Sequence, residues 1–331
     1  MEIPKDIEKL LLKSREIGKF HRWEGEIGIC DVIKSWKEVD SADIGLVGIP
    51  FDTSELMRRG ARSGPEGVRN ALAFSNSYEP GLDVDLSTNL KIVEFGDIDV
   101  LHTNVIKTYE RVEKVITAIY KLGVIPVVIG GDHGPSYATI KSLINNVKGN
   151  VGVITIDAHP DVRTIQQGEV SSGTPFRRIL EEPERPVLPK NLVELGISGW
   201  HNSRSHMEYC REMGVTVITA REIHKRGIED VVAQALDITS NGTEAIFLSI
   251  DIDGFDIAVA PGTAGPSPGG LTSYQGLEAV WQIGQHPLSR GMDIMEVAPP
   301  FDVQDITSSL AAGLVLHYFG AVKTRLEKEN V

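Results

Sequence analysis

The sequence predicts an α/β fold with three layers, in which a mostly parallel sheet of about eight strands lies between helices. Two observations predict it. Short apolar runs rich in valine and isoleucine recur along the chain, as is typical of strands that are buried on both faces. Longer segments with apolar residues at helical spacing separate most of these runs, and alternating strands and helices form parallel sheets.

Eight apolar runs are the predicted strands. In chain order they span residues 44–48, 91–95, 124–129, 151–156, 192–197, 215–219, 246–250 and 293–297. The clearest predicted helices between them are 105–120, 229–238 and 273–285. One sheet of this size fits one domain better than two, so we expect a single domain over residues 1–331, with 1–40 as an N-terminal extension packed on it.

The composition restricts the classes of function. Of 331 residues, 41% are apolar and 24% are charged, as in ordinary globular proteins. The net charge of −13 argues against nucleic acid as a partner, because phosphate binding needs a basic surface. No apolar run reaches the roughly 18 residues that span a bilayer. The charged first 20 residues lack the apolar core of a signal peptide, so we expect a cytoplasmic protein that has no membrane partner.

Polar clusters follow four of the predicted strands, at the edge where open parallel sheets bind ligands. The clusters are Gly-Gly-Asp-His-Gly with His133, Asp157-Ala-His159-Pro-Asp161, Asp251-Ile-Asp253, and Glu296 at the end of the last strand. Because the carboxyl ends of parallel strands meet at one edge of a sheet, we expect all four clusters to lie close together.

The first three clusters supply two imidazoles and four carboxylates, which predict a binuclear metal site. Carboxylates crowded at one place repel each other unless cations lie among them. One divalent ion rarely takes six protein ligands and still leaves room for a substrate, whereas two ions that share bridging carboxylates can. Oxygen ligands with some imidazole suit Mn²⁺, although ligand type does not separate it from Ni or Fe, and no cysteine lies in the clusters.

Each cluster also has a purely structural interpretation. Asp and His residues after a strand often form turns or cap helices, so a lone Asp-x-His-x-Asp is weak evidence for a metal. Three such clusters, each after a buried strand, favour the metal site. Asp132 is expected to support His133 rather than to be a seventh ligand. A metal-binding but inactive regulator and another binuclear hydrolase, such as a phosphatase, are the alternatives from other classes.

The clusters resemble the signatures of the ureohydrolases, the family of arginase and agmatinase. Gly130-Gly131-Asp132-His133 resembles the first signature and Asp157-Ala-His159-Pro-Asp161 the second. The third is similar to 249–256, followed by 260–263 and 268–272, and the N-terminal signature is similar to 48–52 with 59–65. The resemblance runs from about residue 43 to about residue 320.

This resemblance implies the arginase-like fold, a homo-oligomer (a trimer or hexamer), and two divalent metal ions per subunit, with Mn²⁺ expected. One ion would be held by His133, Asp157, Asp161 and Asp251, and the other by His159, Asp157, Asp251 and Asp253. Asp157 and Asp251 would bridge the two ions. The implied catalytic residues are Asp161, which accepts the proton of the attacking water, and Glu296, which pairs with the substrate's guanidinium or amidinium.

One segment departs from the agmatinase-like pattern. Ser172 stands where agmatinase-like members carry the histidine of His-Gly-Thr-Pro/Met-Phe. The stretch 171–177, Ser-Ser-Gly-Thr-Pro-Phe-Arg, is more similar to formimidoylglutamase, as are 196–203 and 205–209. The expected reaction is therefore the hydrolysis of N-formimidoyl-L-glutamate to L-glutamate and formamide, a step of histidine degradation. The alternative is a guanidino hydrolase that releases urea, such as an agmatinase or guanidinobutyrase.

Arginines are the expected partners of the two carboxylates of formimidoylglutamate, because arginine binds a carboxylate through two hydrogen bonds. The predicted substrate-binding residues are Arg163, Ser172, Thr174, Arg177 and Glu296. In the alternative interpretation, Arg177 and Arg178 lie on a helix surface and pair with Glu181 and Glu182. His201 is a candidate donor of a proton to the leaving nitrogen, although a surface role is favoured.

Overall fold

The computed structural model describes residues 1–13, 22–165 and 169–329. The strands found in these residues are β1 Leu11–Leu12, β2 Lys34–Ser35, β3 Ile44–Gly48, β4 Tyr78–Glu79, β5 Val84–Asp85, β6 Ile92–Ile98, β7 Ile125–Ile129, β8 Asn150–Ile156, β9 Leu192–Ile197, β10 Thr216–Thr219, β11 Thr243–Asp251 and β12 Ser289–Met295. The helices are α1 Lys5–Glu8, α2 Ile29–Val32, α3 Gly64–Leu72, α4 Val105–Lys121, α5 Ser136–Asn146, α6 Pro175–Glu181, α7 Arg204–Met213, α8 Ala220–Arg226, α9 Ile228–Ser240, α10 Ser273–Gln285 and α11 Ile306–Glu329.

Ten strands form one sheet in the order β1-β6-β3-β7-β12-β11-β8-β9-β10, and β2 pairs with β6 beside this path. All pairs in the sheet are parallel except β1 with β6. The predicted mostly parallel α/β sheet is therefore confirmed. Each of the eight predicted runs overlaps one strand, and the short β1 and β2 raise the total to ten.

Helices cover both faces of the sheet because its strands are apolar on both faces. Along β8, Ile154 and Ile156 pack into one hydrophobic cluster together with residues of α3, α9, α10 and α11. Val151 and Val153, which alternate with them, pack into a second cluster with residues of α4, α5 and α6. The period of two along a strand thus sends neighbouring side chains into opposite layers.

The four strands at the centre of the sheet end at the same level. In the register of the sheet, Ile294 of β12 lies opposite both Ile129 of β7 and Ile250 of β11, and Ile250 lies opposite Ile156 of β8. The residues that follow these strands therefore emerge side by side. This register brings the four polar clusters of the sequence to one edge.

Two elements differ from the sequence-based expectation. Strand β12 ends at Met295, so Glu296 follows the strand instead of belonging to it. Helix α11 is missing from the clearest predicted helices because it is buried on most sides, with Leu310, Leu314 and Tyr318 among its inaccessible residues. A helix enclosed by other elements has no continuous polar face, and the spacing pattern is then weak.

The described part of residues 1–40 contacts the rest of the chain directly. It contributes β1 and β2 to the sheet, and its Ile3 and Trp36 are buried in the second cluster. That residues 1–331 form a single domain with an N-terminal extension stays a prediction. No helix in the described residues is long and apolar enough to cross a membrane.

Arg69 of α3 makes a buried ion pair with strand β6. Its guanidinium lies 2.9 Å from Glu94 Oε1 and 2.7 Å from Asp97 Oδ1, and only 4% of the side chain is exposed. Arg69→Ala would leave two partly buried carboxylates without a cation, so we expect the free energy of unfolding in urea to fall by about 3 kcal/mol. Arg226→Ala is the control, because Arg226 also pairs with two acids but at the surface. Equal losses in both variants would contradict the structural role of the Arg69 pair.

Candidate metal centre

The loops after β7, β8 and β11 bring two imidazoles and four carboxylates together. His133 Nδ1 lies 3.0 Å from Asp157 Oδ2, 3.0 Å from Asp161 Oδ2 and 3.2 Å from Asp251 Oδ2. One ligand atom from each of these four residues lies within 4.8 Å of the others. A cation at their centre would therefore contact one nitrogen and three oxygens.

A second group adjoins the first. His159 Nδ1 lies 3.1 Å from Asp253 Oδ2 and 3.6 Å from Asp157 Oδ1. Asp157 belongs to both groups, through Oδ2 in the first and Oδ1 in the second, as a bridging ligand must. Asp251 belongs to the first group, the one that contains His133. Its Oδ1 accepts a hydrogen bond from the Asp253 backbone N–H at 2.8 Å. That Asp157 and Asp251 both bridge two ions, as the family resemblance implies, stays a prediction.

Two atoms of the first group are buried without a hydrogen-bond partner among the described residues: His133 Nδ1 and Asp157 Oδ2. Unpaired buried polar atoms are costly, so their convergence on one point fits a cation. The other ring nitrogen of His133, Nε2, lies 3.0 Å from Ser249 Oγ, which donates to Asp293 Oδ1 at 2.6 Å. When Nε2 donates to Ser249, Nδ1 presents its lone pair to a metal.

The carboxylates resist simultaneous ionisation because they are buried together. Burial, and then the charge of Asp157, raises the pKa of Asp161 to about 7. Burial and the charges of Asp253 and Asp157 raise the pKa of Asp251 well above its usual range. Burial opposes protonation of His133, but the three carboxylates around its ring outweigh burial and raise its pKa. A site of this kind favours bound cations, whether protons or metal ions.

The backbone at the site is held in conformations that most residues avoid. Asp161 has a φ of 44° and Glu296 a φ of 63°, both in the left-handed region. Gly131 lies so close to Phe51 that a Cβ would collide with the carbonyl oxygen of that residue. These positions let the loops after the strands turn sharply and direct their carboxylates toward the cluster.

A cavity opens onto the cluster, and Glu296 lies at its wall. The cavity is lined by Glu55, Leu56, Met57, His159, Asp161, Arg163, Ser172, Gly173, His201, Asp251, Asp253, Ala264, Gly265 and Glu296. Glu296 is only 3% exposed; its Oε1 accepts a hydrogen bond from the His133 backbone N–H at 2.9 Å, and its Oε2 has no partner among the described residues. One carboxylate oxygen of Glu296 is thus anchored, and the other is available to a ligand.

The model of the arginase family matches residues 42–320 of the chain. The chain belongs to the arginase family. It is 33% identical to formimidoylglutamase of Bacillus subtilis (strain 168) over 311 residues, which cover 93% of this chain and 96% of that protein. It is 31% identical to guanidinobutyrase of Pseudomonas aeruginosa, with 86% of this chain and 87% of that protein covered.

Solved structures agree with this membership. The crystal structure of formimidoylglutamase from Bacillus subtilis superposes with a TM-score of 0.87 over 93% of this chain and 96% of that one. The crystal structure of Trypanosoma cruzi formiminoglutamase with Mn²⁺ gives a TM-score of 0.83 at 27% identity, over 91% of this chain and 99% of that one. The resemblance, the arginase-like fold and the class of hydrolase expected from the sequence are confirmed.

In this arginase-family chain, the predicted substrate-binding residues separate into two groups. Arg163 and Ser172 line the cavity with Glu296. Thr174 is almost fully buried and bonds the backbone of Ser171, which fixes the loop before α6. Arg177 lies over the ring of Tyr209, 4.1 Å from its centroid, and 3.2 Å from Glu181. Neither Thr174 nor Arg177 is among the residues that line the cavity.

The two neighbouring arginines form the ion pairs of the alternative interpretation, but Arg178 is buried, so only the partly exposed Arg177 lies near the helix surface. Arg178 pairs with Glu182 at 2.8 Å and lies over the ring of Tyr137, and Arg177 pairs with Glu181. Asp132 is not among the clustered ligand atoms. Its carboxylate accepts hydrogen bonds from the backbone N–H and the hydroxyl of Ser54 at 2.9 and 2.8 Å. His201 lines the cavity, with its ring centroid 6.2 Å from that of His159.

Sequence reasoning did not identify four acidic or hydroxyl residues near the site. Ser249 bonds to His133 and donates to Asp293, Glu55 lines the cavity, and Glu194 is buried on β9. Polar residues inside otherwise apolar predicted strands, as at Ser249, Asp293 and Glu194, are a signal that could have identified three of them. Glu55 follows no strand directly and offers no such signal.

Glu194 should make the stability of the metal-free protein depend on pH. Neither of its carboxyl oxygens has a partner among the described residues, and burial and then the charges of Asp157 and Asp161 raise its pKa well above the usual range. The unfolded chain loses this proton at an ordinary pKa of about 4.3, whereas the folded chain keeps it. The unfolded state therefore binds fewer protons, and stability falls as the pH rises above that value.

The variant Glu194→Gln removes this titration. Its free energy of unfolding in urea, measured at pH 5 and at pH 8, should exceed that of the wild type by an amount that grows with pH. Glu110→Gln is the control, because Glu110 is exposed on α4 and should show no such trend. If wild type and Glu194→Gln changed equally between the two pH values, Glu194 would be ionised in the folded protein.

Proposed function

We propose that this arginase-family hydrolase converts N-formimidoyl-L-glutamate and water to L-glutamate and formamide with two divalent ions, Mn²⁺ being the expected metal. One observation supports this substrate most. The cavity joins an unpartnered carboxylate oxygen of Glu296 to the guanidinium-bearing Arg163, so that a cationic amidine and anionic carboxylates can both find partners. The identity to two formimidoylglutamases, 33% and 32%, supports the same substrate.

The proposed ligands follow from the two groups of side chains. His133, Asp157, Asp161 and Asp251 would hold one ion, and Asp157, His159 and Asp253 the other, with Asp251 as the additional bridge that the family resemblance implies. The Trypanosoma cruzi structure described with Mn²⁺ supports manganese. A pair of divalent ions lowers the pKa of a bound water and so supplies hydroxide at neutral pH.

The residues of the chain then position the substrate and move protons. Glu296 pairs with the amidinium through Oε2, while the His133 N–H fixes its other oxygen, so the electrophilic carbon is held beside the metal ligands. Asp161 accepts the proton of the attacking water. His201, at the cavity wall, is the candidate donor of a proton to the leaving nitrogen.

A guanidino hydrolase that releases urea is the second candidate. It would use the same cluster and the same Glu296, because a guanidinium is also a planar cation. The 31% identity to guanidinobutyrase supports it. Arg163 in the cavity wall disfavours agmatine, which is cationic at both ends and gains nothing from an arginine, whereas a guanidino acid shares the carboxylate and is separated from the first candidate by its product, urea. A cytoplasmic location and a trimeric or hexameric assembly stay predictions.

Metal content should depend unequally on the two groups. We expect two ions per wild-type chain, close to one in Asp253→Ala, and the loss of both in Asp157→Ala, because Asp157 belongs to both groups whereas Asp253 belongs to one. Plasma mass spectrometry after Mn²⁺ loading and desalting measures this content. Asp132→Asn is the control, because that acid is buried beside the site but bonds Ser54 instead of the cluster. Equal content in Asp157→Ala and Asp253→Ala would contradict the shared ligand.

Product analysis on Mn²⁺-loaded protein tests the substrate. The panel comprises formimidoylglutamate, agmatine, guanidinobutyrate, arginine and guanidine, with formamide, urea and ammonia followed in parallel. We expect formamide from formimidoylglutamate alone. Urea from a guanidino compound, without formamide, would select the second candidate.

Two arginines supply the matched variants for this experiment. Arg163→Ala should lower kcat/KM for formimidoylglutamate about tenfold, because a charge-assisted bond to a substrate carboxylate is lost. Arg177→Ala removes the same charge from a side chain that lies against Tyr209 outside the cavity wall, so it should retain nearly full activity. Equal effects of the two substitutions would argue against carboxylate binding by Arg163.

A further inference from the structure

Glu55 is a second acid in the cavity that the proposed reaction does not yet use. It lies in the loop after β3 and lines the cavity together with Glu296. Glu296 is 3% exposed, and its Oε2 lacks a partner among the described residues. Both side chains therefore border one cavity, where a single bound ligand can contact the two of them.

The loop that carries Glu55 is fixed to the metal loops. The preceding residue, Ser54, donates its backbone N–H and its hydroxyl to Asp132, the neighbour of His133. The carbonyl of Ser54 accepts a hydrogen bond from the Ser172 N–H at 2.9 Å. Glu55 Oε1 itself accepts the Met57 N–H at 2.6 Å. Such anchoring holds the side chain in place instead of leaving it free in solvent.

We propose that Glu55 and Glu296 together form a two-carboxylate receptor for the amidinium group, and that Glu55 determines the preference for a cationic over a neutral head group. This inference rests on the proposed function. A planar amidinium carries N–H donors on both nitrogens, and Glu296 Oε2 can satisfy only part of them. A buried donor without an acceptor is costly, and Glu55 supplies the remaining acceptor.

The same pair excludes neutral analogues. Two neighbouring carboxylates repel each other, and a cation between them removes that repulsion. An N-formyl group has nearly the shape of a formimidoyl group but no charge, so it would leave the repulsion in place. Specificity of this kind comes from an unfavourable interaction with the wrong ligand as much as from a favourable one with the right ligand.

The variant Glu55→Gln tests the receptor, because glutamine keeps the Oε1 acceptor for Met57 and removes the charge. We expect KM for the amidine substrate to rise about tenfold with kcat changed far less, and Kd for acetamidinium, measured by calorimetry on Mn²⁺-loaded protein, to rise similarly. Inhibition by N-formyl-L-glutamate should become stronger in the same variant. A merely structural role for Glu55 would not move the cationic and the neutral ligand in opposite directions.

Two further variants serve as controls. Glu55→Asp keeps the charge and should lie between wild type and Glu55→Gln, and Glu110→Gln removes an acid on exposed α4 and should match wild type. Unchanged KM and acetamidinium Kd in Glu55→Gln would overturn the two-carboxylate receptor. Formamide production by the wild type would still support the proposed function in that case. Conversely, a wild type that hydrolyses no amidine would remove the proposed function, and acetamidinium binding would still decide the role of Glu55. No acetamidinium binding by wild type would also overturn the receptor.

Discussion

Mutual repulsion between four buried carboxylates is the constraint on which the carboxyl edge of this sheet depends. Like charges at such distances would separate if the chain were free to relax. They are held because each lies at the end of a buried strand or in the loop that follows it. Carboxylate oxygens also accept backbone N–H groups: Asp157 from His159, Asp251 from Asp253, and Asp253 from Ala158. The fold thus opposes the repulsion, and the cluster keeps its affinity for cations.

The support for this cluster extends into the sheet. Asp293, Ser249, Thr155 and Glu194 lie opposite one another on four adjacent strands, β12, β11, β8 and β9. This row crosses an otherwise apolar layer, and its first two members orient the ring of His133 through hydrogen bonds. A polar residue in such a layer costs stability unless it is bonded. The polar row under the site therefore lowers the stability of the fold and in return orients the imidazole ring of His133.

The sequence predicted the parts of the molecule that depend on local pattern. Buried strands are recognisable as continuous runs of valine and isoleucine. The convergence of the three clusters that follow them could be predicted from the rule that parallel strands end at one edge of the sheet. Contacts between distant segments were not predictable in this way. Glu55 and Glu296 line the same cavity although most of the chain separates them in sequence, and no spacing pattern predicts this proximity. Arg177 is close in sequence to a predicted cluster, but its side chain lies over Tyr209 and is not among those that line the cavity, so its role in substrate binding stays a prediction.

Charge is distributed along the cavity in a way that bears on the choice of substrate. Its acidic residues are buried or partly buried, whereas Arg163 is exposed; the acids are Glu55, Asp161, Asp251, Asp253 and Glu296. A chain with a net charge of −13 attracts cations generally, so an anionic substrate needs a local cation to offset that field. A molecule with a cationic amidine at one end and carboxylates at the other matches this distribution. A diamine-like guanidino compound would match the acidic end alone, and its second cation would face the arginine.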